Sequence, residues 1–269
     1  LYLCTADTNG AVYTTAPGAA DNWMATSNAP LNSLATAFDR YDLEPGDRIW
    51  VDTGLYEEAR PVLISMKNSG SSNDPVRVTG NPQVPYNASV LKRASRTVGS
   101  NLIQLNEAEG VRFDSLAISN AWIGIVAESS RAIALDRVRV ACGLTNALYV
   151  GATSRVDVTA SILEQSLYTG LHAHPGAVVK VYNSIMRDNA RAGILLQGGD
   201  VEVKNSVLLA SGSQRYIYYW GSPVSRLASD YNNIRAENNA YVAGGEGRQP
   251  DRFLIDWRAR SAVVNDVSR

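Results

Sequence analysis

The chain has 269 residues, enough for one large domain or two ordinary ones, and a fold of that size buries about three quarters of its unfolded surface without help from a metal or a disulfide. Apolar residues make up 45% and charged residues 19%, with 25 Lys and Arg against 26 Asp and Glu, which excludes a disordered or supercharged chain. The net charge of −1 offers no field for nucleic acid; no apolar run approaches the ~20 residues of a membrane span, so no membrane insertion is expected.

The opening LYLCTADTNG lacks the basic and apolar regions of a signal peptide, so any export signal is expected to have been removed. Cys4 and Cys142 could form one bridge, but two cysteines so far apart do not define a disulfide scaffold, and two buried thiols are the plainer reading. Next, PLNSLATAFDRYDL (30–43) sets Leu31, Leu34, Ala35 and Phe38 at helical spacing, with Asn32 or Ser33 as cap and a stop at Pro45-Gly46. RIWVDTGLY (48–56) and PVRVTG (75–80) follow as first strands, separated by a polar loop at MKNSGSSND.

From here the chain repeats. GIVAE (124–128), ALYVG (147–151), GLHAH (170–174), GILLQ (193–197) and YIYYW (216–220) begin at 124, 147, 170, 193 and 216, four intervals of 23. One step earlier, a 22-residue interval pairs NLIQLN with WIGIVAE and Asp114 with Asp136. A second alternating run accompanies each: VRF (111–113), IAL (133–135), VDV (156–158), VKV (179–181), VEV (201–203) and IRA (234–236). A turn dipeptide and a third apolar run, such as SIMRD or SVLLA, complete the unit. Asn183, Asn205 and Asn238 each stand four residues after the start of a second strand, where a left-handed corner and a ladder of stacked amides are expected.

Three short strands per repeat and no helix predict an all-β right-handed parallel β-helix with coils of about 23 residues. A short helix within 30–43 would plug its apolar end, as terminal repeats must. The chain divides into a cap region (1–46), coils (47–247) and a C-terminal segment (248–269), all one domain. In that last segment DRFLIDWRAR is amphipathic, and SAVVNDVSR ends without a further coil, as a piece of a longer protein would.

The stretch from LYLCTADTNGAVYTTAPG through PLNSLATAFDRYDLEPGDRIWVDTGLYEE resembles the start of bacterial exported β-helix proteins of the pectate-lyase-like superfamily, where a PGD.I.vd.G.Y run follows a capping helix. The resemblance covers nearly the whole chain, but its motifs are fold signatures. It implies a polysaccharide partner and a secreted or cell-surface location, and no particular reaction. The acidic cluster of the calcium-dependent pectate lyases is missing, and only one carboxylate falls on the face described next, where a glycosidase needs a pair.

If Ile125, Leu148, Leu171, Ile194 and Ile217 point inward, their neighbours point out. One outer column is then Gln104, Val126, Tyr149, His172, Leu195 and Tyr218; beside it run Asn106, Glu128, Gly151, His174, Gln197 and Trp220. Both histidines of the protein share this face, and Gly151 is expected to leave a notch between Glu128 and His174. His172 or His174 is the candidate base, Tyr149 the acid, and Arg191 the cation that meets a sugar carboxylate. Glu128, Gln197, Tyr218 and Trp220 are the candidate substrate-binding residues, the rings offering flat apolar surfaces to sugars. Two imidazoles and one distant carboxylate are a weak metal signal; no metal or cofactor is assigned.

Two functions compete. One is a carbohydrate-active protein, a uronate lyase or epimerase, with its substrate across the first sheet; the other is a non-catalytic β-helix spacer or adhesion module, on which stacked aromatics merely stabilise a sheet. The sequence leaves the sugar, the reaction and the oligomeric state open.

Overall fold

A computed structural model describes residues 2–4, 31, 33–141, 143–222, 224–253 and 257. They form the parallel β-helix expected from the repeat, about seven coils wound from three parallel sheets. The first sheet runs from Val62–Ser65 through Ile125–Glu128, Leu148–Val150, Thr169–Ala173 and Ala192–Leu196 to Tyr216–Trp220 and Tyr241–Gly245. The second collects strands such as Glu109–Asp114, Arg155–Thr159, Val178–Tyr182 and Arg226–Asp230, and the third strands such as Arg139–Ala141, Ile185–Arg187 and Asn233–Glu237. Parallel sheets leave raw edges. Here antiparallel strands close two of them, Tyr2–Cys4 on the second sheet and Arg248–Asp251 on the first.

The core is the stacked inward faces. In the first sheet the inward column is Val62, Ile103, Ile125, Leu148, Leu171 and Ile194, every member buried. One end is closed by the helix Leu34–Arg40, which buries Leu34, Ala35, Ala37 and Phe38. Ser33 is its cap, and Glu58, fully buried, adds a second: its carboxylate accepts from the backbone N–H of Leu34 (2.5 Å) and Ala35 (3.3 Å) and from the Ser33 hydroxyl (2.7 Å). Those are amides with no partner inside the helix, and a carboxylate suits the positive end of the helix dipole. Toward the other end the Trp257 ring stacks on Tyr218, centroids 5.2 Å apart. Apart from Asp251, Arg252, Phe253 and Trp257, DRFLIDWRAR lies outside the described residues, as do Cys142 and the Cys4 side chain, and with them the question of a bridge.

The regular repeat is broken after Ile194. Ile194 pairs with Tyr218, so Tyr218 takes the inward column position expected for Ile217. The cause is in the corners. In the coil from Leu171 to Ile194 the inward positions fall at 171, 179, 186 and 194; in the next coil they fall at 194, 201, 208 and 218. The corner after the third sheet gains two residues and the corner after the first loses one. A net shift of one residue turns a strand over.

The next coil brings a second correction. IRA (234–236) belongs to the third sheet, where Ile234 pairs with Leu208; the second-sheet strand of that coil is Arg226–Asp230. Its inward positions are Leu227 and Ser229, and the serine breaks the apolar pattern. Asn238 therefore sits at a different corner from Asn183 and Asn205. Those two do adopt the left-handed conformation (φ 53° and 52°), shared at the same corner by Ser115, Arg137, Ala160 and Tyr231. The ladder there is built from the residue after each left-handed corner: Ser161, Ser184 and Ser206 accept in turn from the backbone N–H one coil below, at 3.0–3.1 Å, and Asn232 ends the series. Each serine hydroxyl also donates to a carbonyl of its own coil, so a buried polar column is satisfied.

Candidate functional site

The outer face of the first sheet holds Glu128, Tyr149, His172, His174 and Gln197 on four successive strands and their ends. Parallel pairing places Tyr149 opposite His172, about 4.8 Å away across the sheet, and the side chains close the gap. Tyr149 and His174 have ring centroids 4.6 Å apart, His172 and His174 4.3 Å, and Tyr149 and His172 5.3 Å in an edge-on contact. Tyr168, exposed on the turn that leads into the strand, reaches His172 edge-on at 6.5 Å.

Burial then sets the chemistry. His172 is only 8% exposed, against the expectation of a solvent-facing side chain, because Tyr149, Tyr168, His174 and Gln197 cover it. Desolvation, opposed by the hydrogen bond to Gln197 and aided by the nearby His174, brings its pKa down to about 4. His172 Nε2 lies 2.7 Å from Gln197 Oε1; with the amide so oriented, Nε2–H donates and Nδ1 carries the lone pair. His174 is half-buried and its pKa is lowered by desolvation. Both rings are therefore neutral at physiological pH.

At the other end of the row the Tyr149 hydroxyl donates to Glu128. Desolvation raises both pKa values; the Glu128 charge adds to the rise at Tyr149, while the hydrogen bond opposes it at Glu128. The expected notch over Gly151 is not open. A Cβ there would collide with the Glu128 carboxylate, so the glycine admits that carboxylate instead of leaving room for a ligand.

Arg191 precedes the strand Ala192–Leu196, and its guanidinium lies over the rings of Tyr219 (4.4 Å) and Tyr216 (5.6 Å). Its backbone N–H bonds Tyr168 O, which sets it one coil beyond the ring that touches His172. The two aromatic candidates of the last coil are elsewhere: Tyr218 is fully buried and Trp220 7% exposed, both in the core, Tyr218 with its hydroxyl 2.8 Å from Ser229 Oγ. The one-residue slip turns them inward and brings Tyr219 out beside Leu195. Tyr219 and Tyr168 are thus the aromatic members of the face that periodicity alone misses. Among the described residues no group of three or more His, Cys, Asp or Glu is placed to hold a metal ion.

No protein-family model matches the sequence, and no curated protein does. Solved structures of similar shape include the pectin methylesterase from Aspergillus niger (9% identity, TM-score 0.51, covering 82% of this chain and 86% of that one) and the alginate lyase from Paenibacillus sp. (12%, 0.44, 77% and 95%). The pectate lyase Pel9A is a third (13%, 0.42, 75% and 64%). At 9% identity the property shared with the first of these is the fold alone.

Proposed function

We propose that the outer face of the first sheet binds an acidic polysaccharide outside the cell and cleaves it by β-elimination. The observation that carries this reading is the packing of two imidazoles and a phenol within 5.3 Å of one another on one sheet face. A neutral ring nitrogen accepts a proton, and a phenol whose pKa is raised still has one to give. His174, the less buried of the two, takes the proton from C5 of a uronate. The C5–H electron pair becomes the C4=C5 double bond, the C4–O bond breaks, and the leaving oxygen takes its proton from Tyr149. His172 acts through His174 as a positioning residue, held by Gln197.

Arg191 meets the uronate carboxylate. Stacking on Tyr219 occupies the face of the guanidinium and leaves its N–H edge for a bidentate contact. The Tyr149 O–H turns from the Glu128 carboxylate to the leaving oxygen as it gives up that proton, and Tyr168 offers a ring to the sugar. The solved structures of similar fold that act on pectin, pectate and alginate by name are consistent with a polymer of this class.

The test incubates the protein with a panel of uronate polysaccharides and follows the ultraviolet absorbance of the unsaturated product, with affinity electrophoresis on the same panel. Turnover lost in His174→Ala with binding retained supports the assignment. Retention of full turnover in that variant, or neither turnover nor retardation with any polymer, overturns it and leaves the face a structural one.

A further inference from the structure

The outer face of the second sheet carries a different pattern, independent of what the first sheet binds. Its middle row runs Arg112, Ala134, Asp157, Lys180, Glu202, Ala228 along the solenoid. Asp157 and Lys180 are exposed at its centre, and two shallow cavities flank them. One of about 660 Å³ lies over Lys180, Asp200, Glu202 and Arg226; the other, of about 610 Å³, lies over Glu109, Arg131, Arg155 and Asp157. Val178 and Lys180 line both.

We infer that this face is a homodimer interface, in which a second copy packs face to face about a two-fold axis parallel to the strands and passing between the Asp157 and Lys180 coils. Such an axis keeps position along the strand and reverses the order of the coils. Asp157 then meets the partner's Lys180, and Lys180 the partner's Asp157. At the leading edge of the sheet Arg131 meets the partner's Asp200, Glu109 the partner's Arg226, and Arg155 the partner's Val178. In the trailing row Asp136 meets the partner's Lys204. The one like-charged pair sets Asp114 against the partner's Asp230, and within its own chain Asp114 is already held by Arg137 (2.8 Å) and lies 3.8 Å from Arg112.

The charge order is therefore self-complementary when reversed, which an isologous contact requires and an unrelated partner does not. It also fixes the register. Centring the axis on the Asp157 coil sets Asp157 and Arg155 each against itself and Glu109 against the partner's Asp200. Centring it on the Lys180 coil sets Lys180 against itself, Asp157 against the partner's Glu202 and Arg131 against the partner's Arg226. An axis along the solenoid would face every residue of the middle row with its own copy. Like charges in contact suppress such alternatives.

Sedimentation of the intact protein at low ionic strength tests the inference. The wild type is expected to form dimers at micromolar concentration and to dissociate as salt is added. Asp157→Lys and Lys180→Asp should each raise the dissociation constant at least about tenfold, since each creates two like-charged contacts across the axis. An equimolar mixture of the two variants should recover the dimer, because the first supplies only lysines at the centre and the second only aspartates. The doubly reversed chain, Asp157→Lys with Lys180→Asp, should dimerise by itself. A wild type that is monomeric at low salt, single variants that associate as tightly as wild type, or a doubly reversed chain that stays monomeric would overturn the proposal. Circular dichroism checks that each variant is folded; if a reversal is not, Asp157→Ala and Lys180→Ala probe the same contacts and should each weaken the dimer.

Discussion

Between Ile125 and Ile194 all three sheets advance by one and the same interval per coil, and in the next coil none of them keeps it. In the regular region Ile133, Val156 and Val179 of the second sheet and Val140, Leu163 and Met186 of the third march in step with Leu148, Leu171 and Ile194 of the first. Beyond it, Val179 is followed by Val201 and Leu227, Met186 by Leu208 and Ile234, and Ile194 by Tyr218 and Ala243. The second and third sheets shorten their step and then lengthen it, while the first only lengthens. Corners of a solenoid absorb insertions without disturbing the strands they join, so repeat length is a weaker invariant than strand pairing. The YIYYW segment follows GILLQ at the common interval, from 193 to 216, yet pairing sets Ile194 beside Tyr218 and not beside Ile217. Equal spacing of similar segments can conceal a one-residue slip, and a slip of one exchanges the faces of the strand.

The largest effect should come from breaking that offset coil. If Tyr218 is a core residue, Tyr218→Ala removes a buried ring between Trp257 and the Ser229 hydroxyl and should cost about 3–5 kcal/mol. Its neighbour Tyr219→Ala loses only ring contacts with Arg191 and Tyr216 on the outer face and should cost about 1 kcal/mol or less. Denaturant unfolding of the two variants side by side decides the register. Equal losses, or a larger loss at Tyr219, would restore the unbroken repeat and bring Tyr218 and Trp220 back to the outer face.

The site divides in the same way into what spacing reveals and what it hides. Alternation along GLHAH and ALYVG is enough to bring His172, His174 and Tyr149 to one face, and parallel pairing does the rest. Alternation says nothing of how side chains lean. Glu128 folds over Gly151, Gln197 reaches across to His172, and Tyr168 arrives from a turn outside the pattern. The serine ladder is also visible in the sequence, as the second residue of the Ala160-Ser161, Asn183-Ser184 and Asn205-Ser206 dipeptides. The asparagine dominates such a dipeptide because its backbone preference is local and strong, whereas the interior bond of the serine depends on an adjacent coil that only the fold supplies.

A middle-sized effect separates a covered histidine from an exposed one. The His172 pKa of about 4 lies below the ordinary 6.5, so between those values the unfolded chain binds a proton that the folded chain does not. Stability from this group is full above pH 6.5, falls as pH drops from there toward 4, and has gone below it. A shift of that size corresponds to something on the order of 3 kcal/mol. His174, shifted in the same direction by a shallower burial, adds to the slope in the same window. Unfolding free energies at pH 7, 5.5 and 4 should show the decline, and His172→Gln should remove most of it. A slope left unchanged by that variant would mean that His172 stands in solvent, as alternation alone suggests.

The smallest effect concerns the corner shared by the regular coils. Ala160, Asn183 and Asn205 occupy successive rungs of one left-handed turn, with φ of 48°, 53° and 52°. An alanine there sets its Cβ against the following carbonyl, whereas asparagine tolerates the conformation through local bonding by its amide. The Ala160 backbone N–H bonds Tyr182 O and its carbonyl accepts from the Tyr86 hydroxyl, and neither depends on the side chain. Ala160→Asn should therefore raise stability by about 0.3–1 kcal/mol, read as a higher denaturant midpoint at unchanged slope. Asn183→Ala should lower it by a similar amount if the two rungs are equivalent. A fall in the midpoint for Ala160→Asn would show that the loop carrying Tyr86 leaves no room for a longer side chain at that corner, and that the equivalence of the regular coils stops at their backbone.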